Sequence, residues 1–217
     1  MTRLILSALG AVLAAACQSS AVAGPIPRPT QDLPKAQPGE VRTAVLAAGC
    51  FWCVEEIFEK LEGVVEATSG YAGGTPETAK YPIVSSGRTS HAESVEIKYD
   101  HRISYAELLW VFLSTQDPTT KDAQGPDHGP QYRSAIFVKS KEERQVAEAY
   151  LAELAKANPL GKPLVTTIET LTTFHPAEGY HQDYVRNHPD APYVRTVSIP
   201  RASTVEMLFP KLLKQKR

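Results

Sequence analysis

Residues 47–56 read Ala47-Ala48-Gly49-Cys50-Phe51-Trp52-Cys53-Val54-Glu55-Glu56. The apolar run Thr43 to Ala48 stops at Gly49 as a buried strand would. From Cys50 to Glu62 the apolar positions are 51, 54, 57, 58 and 61, a helical spacing, with Gly63 at the stop position. Strand, tight turn and helix are therefore expected here, with Cys50 at the start of the helix. A thiol there faces unpaired backbone N–H groups and the positive end of the helix dipole, which favour thiolate and make Cys50 a nucleophile. Cys53, one turn on, lies on the same face and is placed to form a disulfide with it.

Outward from this stretch, Val64 to Tyr71 reads as a strand, and Ala72 begins a long loop to about Ser90. Glu93 to Tyr99 alternates like a half-buried strand. Ser104 to Glu107 is a capping box, and the helix it opens ends at Asp117-Pro118. Arg133 to Val138 reads as a strand, Ser140 to Glu143 opens a second helix to about Asn158, and Val165 to Phe174 reads as one or two further strands. The aromatic- and histidine-rich stretch after it, to about Val194, has no clear period. A β-α-β-β-α-β order predicts an α+β fold, a ferredoxin-like split βαβ two-layer sandwich with additional loops and helices.

The chain has 217 residues, 42% hydrophobic and 22% charged, with a formal net charge of −1. That suits one domain with a real core and offers no polybasic face, so no nucleic acid partner is expected. Arg3 followed by the apolar run Leu4 to Ala16 has the form of a secretory signal peptide, and Ala21-Val22-Ala23 fits a cleavage site. The expected division is a signal peptide over 1–23, a proline-rich tether over 24–40, the domain over 41–200 and a basic, solvated tail over 201–217. Leu13 to Cys17 also resembles a lipoprotein signal, with Ala14 where leucine is usual, so a lipid anchor at Cys17 is an alternative to simple export to a bacterial periplasm. Either way Cys50 and Cys53 are the only thiols of the domain. A bridge closing so short a loop would restrict the unfolded chain little, which argues for a reactive pair over a structural staple.

Two buried hydrophobes, a zinc half-site and a thioredoxin-like disulfide exchanger are the other readings of Cys50 and Cys53. No second Cys-x-x-Cys accompanies them, and the histidines lack zinc-finger spacing, so no metal is expected. Two bulky rings between the cysteines suggest a pocket for an apolar group.

Gly49-Cys50-Phe51-Trp52 is similar to the signature of the A-type peptide methionine sulfoxide reductases. The likeness continues through Gly70 to Gly74, Tyr81 to Val84, His91-Ala92-Glu93, Asp117-Pro118-Thr119, Asp127-His128-Gly129 with Gln131 to Ser134, and Tyr180 to Tyr184. The resemblance implies reduction of methionine-S-sulfoxide, free or in proteins, by attack of Cys50 on sulfur, leaving a sulfenic acid. It places Phe51 and Trp52 around the substrate methyl, and Glu93, Tyr81 and Tyr132 as proton donors to the oxygen. It puts Asp127 near the nucleophile and Tyr184 on the pocket wall. His91 and His181 fall within matched motifs without an assigned role. No cofactor is implied, and a monomer is expected. Many family members carry glycine where this chain has Cys53 and resolve the sulfenic acid with a distal cysteine. Ser198 to Arg217 contains none. The resemblance then makes Cys53 the resolving thiol and a thioredoxin-like protein the reductant. A non-catalytic module that binds oxidised methionine, and a general disulfide exchanger, are the competing functions.

Overall fold

A computed structural model describes residues 26–215; the expected signal peptide over 1–23 and Cys17 lie outside the described residues. The elements in chain order are β1 (Arg42–Ala48), α1 (Phe51–Glu59), β2 (Val64–Ala72), α2 (Tyr81–Val84), β3 (Ala92–Tyr99), α3 (Tyr105–Ser114), β4 (Ala123–Gln124), β5 (Asp127–His128), β6 (Ser134–Val138), α4 (Lys141–Ala157), β7 (Thr167–Thr170), β8 (Phe174–Pro176), α5 (Tyr184–Asn187) and α6 (Ile199–Leu208). The strands of the main sheet are ordered β7-β6-β1-β3-β2-β8. Its centre, β6-β1-β3-β2, is antiparallel throughout, with α1 joining β1 to β2 and α3 lying between β3 and β6. This is the split βαβ arrangement expected from the order of elements. β7 extends it in parallel beside β6, and β8 pairs with β2 at the other edge.

Strand alternation divides the core. Ala44, Leu46 and Ala48 of β1, Val95 and Ile97 of β3, and Ile136 and Val138 of β6 face the helices. Val45, Ala47, Ala135 and Phe137 face the other way, into a smaller cluster covered by Leu171 and Phe174. α1 buries Val54, Ile57 and Phe58 against the first face, each worth about 1.5–3 kcal/mol relative to exposure. The capping box of α3 closes fully: Glu107 N–H donates to Ser104 Oγ, and Ser104 N–H to Glu107 Oε2. The second box closes by half. Glu143 N–H donates to Ser140 Oγ, but the Glu143 carboxylate accepts from Lys139 N–H.

Two segments read as loose are seated on the domain. Residues 26–40 lie over α3 and α4, with Ile26 and Ala36 buried. Trp110 Nε1 donates to Ile26 O, Tyr150 Oη to Pro27 O, and the Arg28 guanidinium pairs with Glu107 and lies 5.5 Å from the Trp110 ring centroid. Asp32 Oδ1 accepts from Ala106 N–H, one of the first-turn amides that α3 leaves open. Proline prevents regular structure here, but it does not prevent an extended strap from docking. Asp32→Ala is expected to lower unfolding stability by about 1 kcal/mol, read as a shifted urea midpoint at unchanged slope. The basic tail is also structured: α6 buries Ala202 and Val205 against α1, Phe209 meets Trp110 edge-on at 4.7 Å, and Leu213 bridges to Leu61. The apolar residues Ala202 and Val205, three apart on one face, outweigh the lysines that follow.

Candidate active site

Gly49 turns the chain from β1 into α1 at φ +75°, and a Cβ there would come within 2.5 Å of Gln124. The tight turn leaves Cys50 as the N-cap residue, its carbonyl accepting from Cys53 N–H at 3.2 Å. Cys50 is 6% exposed and Cys53 fully buried behind it; both are free thiols.

Glu93 belongs to the set of β3 side chains that face the helices, two positions before Val95, at the end of the strand beside the start of α1. There Phe51 N–H, another first-turn amide, donates to Glu93 Oε2 at 3.1 Å. Glu93 is 2% exposed. Burial pushes its carboxyl up to about 8, against the Phe51 N–H and with the help of the Asp127 and Cys53 charges. At neutral pH it is mostly a protonated acid.

Cys50, Phe51, Trp52, Tyr81, Glu93, Asp127, Tyr132 and Tyr193 line one cleft of about 250 Å³. Loops deliver the last of these: α2 begins with Tyr81, the β4–β5 hairpin carries Asp127, and a short 3-10 turn ends at Tyr132. Burial raises the Tyr81 phenol to about 12 and moves Tyr132 upward as well, the Glu93 charge adding to both. Both stay protonated and able to donate. Tyr193 Oη donates to Asp127 Oδ2 at 2.5 Å, and burial raises Asp127 in spite of that bond and of the Arg201 charge. A larger cleft, about 600 Å³, lies across the hairpin and is lined by Gln124, Gly125 and Pro126. Neither cysteine lines it, so the chemistry belongs to the smaller one.

Four of the pocket's details were not in the sequence reading. Tyr184 is not on the cleft wall; it stacks on Trp52 with centroids 3.8 Å apart and planes 8° from parallel, supporting that ring from behind. Tyr193 takes a place on the wall instead. His181 has a defined task, accepting from Trp52 Nε1 at Nδ1 (3.1 Å), so the indole is fixed by a bond as well as by stacking. His91 is buried away from the cleft, bonded to Thr75 O.

The fourth detail concerns charge. Burial pushes the Cys50 thiol well up, with the hydrogen bond to Cys53 and the charges of Cys53 and Glu93 adding to it. Cys53 is lowered to about 6, first by the hydrogen bond from Cys50, then by Arg201 and Ser198. The hydrogen bond between the two sulfurs ties their charges together, and burial next to Glu93 opposes the helix dipole at the N-cap. The two sulfurs titrate as a pair that keeps one proton between them at neutral pH.

A thiol pair that is oxidised while a neutral carboxyl protonates a departing oxygen carries out the chemistry of a thiol-dependent oxidoreductase, and that is the class this fold and cleft define. A family model described as peptide methionine sulfoxide reductase matches residues 42–212. The chain is 46% identical over 184 residues to peptide methionine sulfoxide reductase MsrA 2 of Mesorhizobium japonicum, covering 84% of this chain and 94% of that one. It is 47% identical over 172 residues to MsrA of Thermus thermophilus, covering 79% and 97%. Among solved structures it resembles Mxr1 from Saccharomyces cerevisiae in reduced form (TM-score 0.64, 33% identity, 72% of this chain and 90% of that one). Methionine sulfoxide reductase A of Corynebacterium diphtheriae is similar too (TM-score 0.61, 32% identity, 77% and 87%). The chain belongs to the peptide methionine sulfoxide reductase family.

Proposed function

We propose that the protein reduces methionine-S-sulfoxide, free or in proteins, to methionine through a Cys50 sulfenic acid and a Cys50–Cys53 disulfide. The observation that carries this reading is the meeting of the Cys50 thiol, the protonated Glu93 and the Phe51–Trp52 wall in one cleft. The sulfoxide methyl packs on the rings and its oxygen points toward Glu93, Tyr81 and Tyr132. As Cys50 attacks sulfur its remaining proton moves to Cys53, and Glu93 protonates the oxygen. The hydroxyl then passes from the substrate sulfur to Cys50 sulfur, so that the substrate S–O bond and the new S–S bond break, the Cys50 S–O bond forms, and methionine leaves a Cys50 sulfenic acid. Cys53 then attacks that sulfur; the S–S bond forms, the S–O bond breaks and water departs. A thioredoxin-like dithiol returns the pair to the reduced state. Tyr193, bonded to Asp127, bears on both sulfurs.

The sequence features before residue 24 support an exported, periplasmic protein, with lipidation of Cys17 as an alternative anchor, and the protein acts as a monomer. The reaction and its recycling are tested together by counting thiols by mass spectrometry after one equivalent of L-methionine-S-sulfoxide. Loss of both domain thiols with one methionine formed is the expected result. Binding with no thiol consumed would establish a non-catalytic module, and insulin reduction without sulfoxide a general disulfide exchanger.

A further inference from the structure

The C-terminal segment ends without a cysteine, yet it reaches the cysteine pair with other residues. Tyr193 is followed by a π-helical turn, Val194–Ser198, in which Ile199 N–H donates to Val194 O, and this turn runs directly into α6. Bonding from i to i+5 winds the backbone more widely than an α-helix, so residues five apart approach one line. Tyr193 and Ser198 are five apart, and they serve the same centre: Tyr193 Oη donates to Asp127, and Ser198 Oγ accepts from Cys53 Sγ at 3.2 Å. Ser198 is completely buried, and Cys53 is its one side-chain hydrogen-bond partner among the described residues. One turn further, Arg201 Nε donates to Thr115 O at 2.9 Å, which anchors the guanidinium beside the start of α1. Its Nη1 lies 3.7 Å from where a Cβ would stand on Gly49, the residue before Cys50.

We propose that Ser198 and Arg201 are the residues that make Cys53 the resolving nucleophile, Ser198 as a catalytic hydrogen-bond donor to its sulfur and Arg201 as a positioning cation for its negative charge. The inference rests on the reading of Cys53 as the resolving thiol. A hydroxyl can accept from the thiol and, by turning its rotor, donate to the thiolate. The thiolate is what attacks sulfenic sulfur. In that step Cys53 sulfur is oxidised and Cys50 sulfur reduced, the S–O bond breaks, and the departing hydroxide takes the proton released by Cys53 and leaves as water. The downward shift of Cys53, to which Arg201 and Ser198 contribute, agrees with this geometry.

The test is single turnover with L-methionine-S-sulfoxide, in which sulfenic acid is trapped with dimedone and disulfide is counted by mass spectrometry. In Ser198→Ala and Arg201→Met, sulfenic acid is expected to accumulate and the disulfide to form about ten-fold more slowly at pH 5 and about two-fold more slowly at pH 7, the loss expected when a thiol at about 6 rises by one pKa unit. The rate should recover as pH rises, because hydroxide then removes the proton that the lost groups no longer disfavour. Arg201→Lys, which keeps the charge, should restore most of it. Disulfide formation at the wild-type rate in both variants, or a slowing equal at all pH values, overturns the proposal. If the wild-type protein itself loses a single thiol per methionine, the assignment of Cys53 as resolving thiol falls, and the proposal with it.

Discussion

Replacing Cys50 by serine is expected to abolish methionine formation from the S-sulfoxide, with a loss on the order of 10⁴-fold or more in single turnover, as removal of a covalent nucleophile does elsewhere. The reason is local. The residue sits at the N-cap with its side chain in the cleft, so serine fits without disturbing the backbone. Its hydroxyl, however, cannot pass a proton to Cys53 at neutral pH and is a poor nucleophile toward sulfur. Cys53→Ser separates the two thiols: one methionine per chain should still be released, and thioredoxin-coupled cycling should stop, because residues 198–217 contain no cysteine to replace it. Free methionine measured by chromatography, with and without a reducing system, reads both results. A Cys50→Ser protein that still turned over would sink the mechanism.

That Cys53 had to be read from the rest of the chain illustrates what the sequence made legible. β1, the turn at Gly49 and α1 follow from one apolar run, one glycine and one helical period, and the structure has all three. The order of the sheet follows from the split βαβ pattern. Glu93 is different. Alternation along Glu93 to Tyr99 puts it on the same face as Val95 and Ile97, but whether that end of the strand is open or covered depends on α1, which is packed there by long-range contacts. Its burial was therefore implied only by resemblance to a family.

Other features had no readable signal. Tyr193 precedes and Ser198 closes a π-turn that breaks the helical period, so the stretch looks patternless although each residue has a partner. The strap over 26–40 docks mainly through backbone carbonyls and single side chains such as Arg28 and Asp32, and carbonyls carry no sequence information. The behaviour of the cysteine pair could not be read either: the helix dipole is a local property, whereas the desolvation that opposes it comes from residues on separate loops and strands.

Glu93→Gln is expected to lower the first-step rate by about 10²–10⁴-fold, the range for a positioned general acid. Glutamine has the same shape and an amide oxygen that can keep the Phe51 N–H bond, so the loss reports the missing proton rather than a missing fold. The pH dependence gives the sharper discrimination. Burial raises Glu93 to about 8, and the protonated form is the useful one, so methionine formation should fall as pH rises through about 8. Cys53 loses its proton at about 6, and its thiolate accepts the proton that Cys50 must shed, so the rate should rise through about 6. The result is a bell whose two limbs belong to different residues. In Glu93→Gln the upper limb should vanish while the lower one stays; in Cys53→Ser the lower limb should move to higher pH, because Cys50 must then shed its proton without the partner sulfur. Single-turnover methionine release across this range separates the two. A descending limb at the same pH in Glu93→Gln would assign the acid to another group, with Tyr81, itself near 12, too weak an acid to supply that limb.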